Sequence, residues 1–111
     1  IKTAMVIICK ALLMKGYNAV TLFPFIILRQ KELKNNPVLL NHERIHLKQQ
    51  LELLVIGFYL WYVLEFLVWV VKYKNWNRAY RTISFEQEAY RNESCLTYLK
   101  DRPLFAFLKF Y

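Results

Sequence analysis

A mainly helical α+β domain is predicted by three features of the sequence. The run YNAVTLFPFIIL at 17–28 is rich in β-branched and aromatic residues, Asn36-Pro37 opens a long stretch without strong helix breakers, and Ser84-x-x-Gln87 forms a capping box further on. The 111 residues are 57% apolar with two Gly and three Pro, which fits one domain over 1–111 and excludes collagenous, low-complexity and multidomain chains. With 8 Phe, 8 Tyr and 3 Trp, a core forms without disulfide staples. Cys9 and Cys95 lack metal-ligand spacing and read as thiols in a reducing compartment, with a single bridge as the other reading.

In chain order, the apolar stretch Ala4 to Met14 is too short to cross a bilayer, and no small-residue cleavage site follows it, so no signal peptide is expected. Met5 to Cys9 suits a strand, Met5 to Met14 equally suits a helix, and Lys15-Gly16 suits a turn. The 17–28 run should form an edge or bulged strand, because Pro24 removes a ladder donor, and it should join the N-terminal strand in a small antiparallel sheet or hairpin. A helix should start at Pro37, since Asn36 can accept from the first-turn amides and proline at the first position sacrifices no intrahelical bond. Gly57 is the one residue before Lys74 that marks a kink or a division into two helices. Ser84 should cap a polar helix running to Leu99, stopped by Asp101-Arg102-Pro103 and followed by an aromatic tail to Tyr111.

Leu53 to Val71 contains a single side chain charged at neutral pH, Glu65, and is about as long as a hydrocarbon core is thick. A carboxylate inside a span costs on the order of 3 kcal/mol, so a buried or membrane-lying helix is the preferred reading over a crossing one. The net charge of +8 favours anionic partners. Lys72, Lys74, Arg78 and Arg81 interleave with Tyr73, Trp76 and Tyr80, which reads first as a solvated surface and second as a membrane interface. No nucleic-acid signature accompanies it, so nucleic acid is disfavoured and the expected location is cytoplasmic or membrane-associated.

The chemistry concentrates in His42-Glu43-Arg44-Ile45-His46, placed on the helix that Asn36-Pro37 starts. Residues four apart share a helical face, so both imidazoles can reach one Zn²⁺ while Glu43, about 100° round from His42, can take a proton from a water at the metal's open position. Such a site needs a third protein ligand, and the chain has no third histidine. Glu52 and Glu65 continue along the same helical segment and cannot swing back. Glu86 opens the later polar helix with the small Ala89 three residues on, which permits close helix approach, and it is the third ligand expected. Glu88 projects from another face, and Glu93 lies two turns beyond Glu86. If peptides are cut, a donor to the carbonyl oxygen is also required, and Tyr90, Arg91 and Tyr98 are the candidates on or near that helix.

His42-Glu43-x-x-His46 followed by Glu86-x-x-Ala89 resembles the gluzincin arrangement. It is similar to the E-x-x-A-D motif of CAAX-prenyl-protease-like peptidases, and in size to the minigluzincins. The runs NHERIHLKQQLE and ISFEQEAY are also similar to a family of small bacterial proteins, mostly from Bacteroidetes. The resemblance implies a zincin-like fold and a zinc metallopeptidase in which His42, His46 and Glu86 hold the metal and Glu43 is the general base. Tyr90 stands where the motif has Asp, so the histidine-orienting partner would be Gln49 or Gln50 instead. In such enzymes an edge strand binds extended substrate, a part the Thr21 to Leu28 strand would play. The expected activity is hydrolysis of a peptide or protein substrate, with a membrane surface or membrane-embedded partner as a further expectation. The competing expectation is a zinc-binding or membrane-associated module that does not cleave.

Overall fold

The computed structural model describes residues 5–13 and 16–110. Ala4 and Met14 of the N-terminal stretch, Lys15 of the Lys15-Gly16 turn and Tyr111 of the tail lie outside the described residues. The chain is α+β and mainly helical, as its patterning predicts, with a three-stranded sheet preceding five helices.

The 17–28 run is two strands rather than one. β2 (Ala19–Leu22) and β3 (Phe25–Leu28) form an antiparallel hairpin whose two-residue turn is Phe23-Pro24. Pro24 therefore needs no ladder partner, which removes the reason for an edge or bulge assignment. β1 (Met5–Ile8) pairs with β3 in parallel, reached through a short 3₁₀ turn at Lys10–Leu12, so the order is β1-β3-β2 and the sheet is mixed. Central position explains why Ile26, Ile27 and Leu28 of β3 are buried, and it leaves β1 and β2 as the edges, with β2 against α1.

Helix α1 (Pro37–Glu52) starts as expected, with the Asn36 side chain accepting from the Leu39 N–H at 3.0 Å. It ends three residues before its successor, at a break that Gly57 does not make. Leu54 and Val55 adopt φ of 57° and 63°, and the Ile56 N–H turns back to the Leu54 carbonyl at 2.6 Å, a γ-turn centred on Val55. Gly57 lies inside the first turn of α2 (Ile56–Tyr73).

Only Phe58 and Glu65 of α2 are fully buried. Phe58 joins Ile83, Phe85 and Phe107 in one core cluster, with Trp61, Tyr62 and Phe66 packed around it. The outer face, including Leu60, Leu64 and Val68, is more than half exposed, so of the buried and membrane-lying readings α2 does not fit the buried one. A chain this short covers one side of an all-round apolar helix and runs out of elements for the other.

Helices α3 (Trp76–Thr82) and α4 (Ser84–Asn92) follow. Asn75 caps α3, accepting from the Arg78 N–H at 3.0 Å. Ser84 does not cap α4. Its hydroxyl and amide both donate to the Glu65 carboxylate, anchoring the start of α4 to the middle of α2, while the Gln87 carboxamide donates to the Thr82 carbonyl at 2.8 Å. The helix expected to reach Leu99 stops at Asn92, and α5 (Tyr98–Asp101) is a separate turn. The stop is enforced from α1, where the Asn41 carboxamide donates to the carbonyls of Asn92, Glu93 and Cys95. The tail returns as a 3₁₀ turn, Ala106–Phe110, that buries Phe107. Cys9 and Cys95 are free thiols. On its other side α1 packs Leu47, Leu39 and Leu40 against Ile26 and Leu28 of the sheet, a second core cluster.

Candidate metal centre

One face of α1 lies on the sheet and another faces α4; His42 and His46 project toward α4, and Glu43 lies toward β2. His42, Glu43 and His46 are each about 95% buried, as is Glu86 from the first turn of α4. Ala89 on α4 is fully buried, in keeping with the close approach expected of a small residue there.

The His42 and His46 Nε2 atoms lie 3.2 Å apart, and Glu86 Oε1 is 3.4 Å from the first and 3.1 Å from the second. Ligands held tetrahedrally about 2.05 Å from Zn²⁺ are separated by roughly 3.3 Å, so this triangle matches one face of such a site.

The protonation pattern follows from the outer partners. The Gln49 carboxamide spends its N–H donors on the Phe85 carbonyl and the Glu88 carboxylate, which aims Gln49 Oε1 at His46 Nδ1, 2.8 Å away. His46 therefore donates from Nδ1 and presents a lone pair at Nε2. Glu93 Oε1 accepts from His42 Nδ1, also at 2.8 Å, with the same result. Three acceptor atoms thus converge on one point, and that arrangement requires positive charge between them. His42, His46 and Glu86 could hold a metal ion there.

A proton competes for the same place. Burial opposes charge on His46, but the neighbouring Glu86 carboxylate outweighs it and raises the imidazole to about 9. Burial likewise pushes Glu86 up, and the two histidines prevail, holding its carboxyl well below the usual carboxylate range. Tyr62 on α2 donates to the other carboxylate oxygen, Glu86 Oε2, at 2.7 Å and fixes its rotation.

Glu43 is set by β2. The Thr21 hydroxyl lies 2.7 Å from Glu43 Oε1 and 3.0 Å from the Glu43 carbonyl. Beside Glu43, His46 and Glu86 opens a cavity of about 410 Å³ with walls that include Val20, Leu22, Phe58, Phe66 and Trp76. A second cleft runs past His42, Glu43 and Tyr90 on the other side.

The remaining sequence candidates divide. Gln49 orients a histidine; Gln50 does not. Its carboxamide donates to the Thr21 carbonyl at 2.8 Å and accepts from the Phe23 N–H at 2.8 Å, because its position on α1 faces the sheet. Tyr90 lays its ring edge-on against His42, with centroids 4.6 Å apart. Arg91 is exposed and bonded to Gln87, and Tyr98 donates to Glu88, so neither reaches the three ligand atoms through these bonds. Glu88, which was expected to project away, is fully buried and bonded by Arg102, Tyr98 and Gln49.

Sequence reading missed Glu93, Thr21 and Tyr62. Glu93 alone carried a signal, two turns from Glu86 on its face, and the Asn41 clamp on the end of α4 is what delivers it to His42. Set against family models, curated proteins and solved structures, the chain matches none.

Proposed function

We propose that the protein is a zinc-dependent peptidase, and the observation that carries the reading is the three-acceptor triangle with Glu43 beside it. Zn²⁺ held by His42, His46 and Glu86 would supply a Lewis acid that polarises a carbonyl and lowers the pKa of water at its open position. Glu43 then accepts a proton from the attacking water and returns it to the leaving amine. Thr21 occupies one Glu43 oxygen and so orients the other lone pairs. Burial raises the Tyr90 phenol, which lines the second cleft and stays protonated as a donor for a carbonyl oxygen. The large apolar cavity beside the triangle suits a substrate with a bulky uncharged side chain next to the cut bond. The sequence resemblance to gluzincins supports the same assignment.

The competing reading, a metal-binding module without turnover, is favoured by Gln50. It takes up two outward-facing backbone groups of the β2 edge where an extended peptide would pair. Elemental analysis of the purified protein, beside His46→Ala and Glu86→Ala, tests the metal. Near-stoichiometric zinc in the parent and its loss in both variants are expected. A quenched-fluorescence peptide library then separates the readings. Glu43→Gln should keep the metal and lose about 10²–10⁴-fold in turnover if the peptidase reading is right. A zinc-loaded parent no faster than Glu43→Gln on every peptide would leave the binding module.

A further inference from the structure

We infer that the outer face of α2 is a docking surface for an anionic lipid bilayer, with the helix lying along the interface. The face is continuous and wholly aliphatic: Ile56, Leu60, Val63, Leu64, Leu67 and Val71, each at least half exposed, recur at helical spacing over sixteen residues, about 24 Å of axis. Scattered exposed leucines are ordinary, whereas an unbroken stripe of this length marks an interaction surface.

The placement of the one carboxylate in this stretch is informative. Glu65 is 7% exposed on the opposite side of α2 and is bonded to Ser84, so the outward side carries no ionised group from Ile56 to Val71. At its C-terminal end the stripe meets basic residues: Lys72 and Lys74 are exposed, and Arg78 follows on α3. Trp69 and Tyr73, over whose rings Lys72 and Arg78 lie, stand four and eight residues on from Glu65 and share its side of α2. Cations at the end of an apolar stripe suit the headgroup layer, where they meet lipid phosphates.

Lying fits better than crossing. The inner side of α2 is covered by Ile83, Phe85 and Phe107, and the Glu65–Ser84 contact places α4 directly alongside, so a crossing α2 would draw polar α4 into hydrocarbon. A second copy of the chain is the poorer occupant, since each copy brings a further charge of +8, whereas an anionic surface neutralises it.

The test is sedimentation of the full chain with large vesicles of phosphatidylcholine, with and without phosphatidylglycerol, at physiological salt. The wild type should partition into the anionic vesicles. Leu64→Lys with Val68→Lys should weaken this by at least about tenfold, because both side chains are exposed on the stripe and lysine there removes apolar burial. Lys72→Gln should weaken it by roughly fivefold and reduce its salt dependence. Unchanged circular dichroism keeps either loss from being attributed to unfolding, and if the lysine pair unfolds, Leu64→Gln alone serves in its place. Partition equal in wild type and stripe variants overturns the inference. So does a discrete dimer by light scattering that ignores vesicles, which would assign the face to a second copy. The result is independent of metal content and turnover.

Discussion

Each histidine of the candidate metal site is held from behind by a different kind of acceptor, and the difference should be measurable. Glu93→Ala removes a carboxylate from His42 and Gln49→Ala removes a neutral amide from His46; each should weaken zinc by about 10–100-fold in competition against a chelator, with Glu93→Gln retaining part of the affinity. A pH effect follows from His46. Its pKa is raised from 6.5 to about 9 in the fold, so its contribution is fully present below 6.5 and disappears as pH rises through 9. Metal-free protein should therefore lose on the order of 3 kcal/mol of unfolding free energy across that window, followed by urea titration. Zinc uptake, displacing that proton, should strengthen across the same range. His42, His46, Glu43 and Glu86 were legible because helix geometry and residue chemistry determine them locally. Thr21 and Tyr62 reach the site from β2 and α2, encounters that no local pattern encodes, and the spacing that puts Glu93 on the Glu86 face does not reveal the Asn41 clamp that delivers it.

The clearest lesson among the elements is the break between α1 and α2. Asn36-Pro37 was readable because a cap and a first-turn proline act within four residues, whereas Leu54 and Val55 are poor turn residues that nonetheless adopt positive φ. Val55 is β-branched and its conformation is strained, so Val55→Gly should stabilise the protein by about 1 kcal/mol, visible as a higher Tm. Asn36→Ala should cost about 1 kcal/mol in the same assay. Ser84 shows the converse limit. Its capping box was locally sound, yet Glu65, nineteen residues earlier, took the hydroxyl instead. The hairpin was misread for a related reason, since Pro24 disrupts a strand but serves well in a turn.

Across the molecule, the residues that join the site to the fold form a second polar cluster behind α4. Arg102 bonds Glu88 and Glu52, Tyr98 bonds Glu88, and Gln49 connects Glu88 to His46. Arg102→Ala strands two buried carboxylates and should cost about 3–5 kcal/mol by urea unfolding, weakening zinc as well because Gln49 loses its anchor. Gln50 has a consequence at the same scale. A sheet edge with free amides and carbonyls is an invitation to other chains, and here one carboxamide, pressed from α1 onto Thr21 and Phe23, imitates the peptide of a missing neighbour strand. What looks like an obstacle to substrate thus also closes this stretch of the β2 edge to strands of other chains.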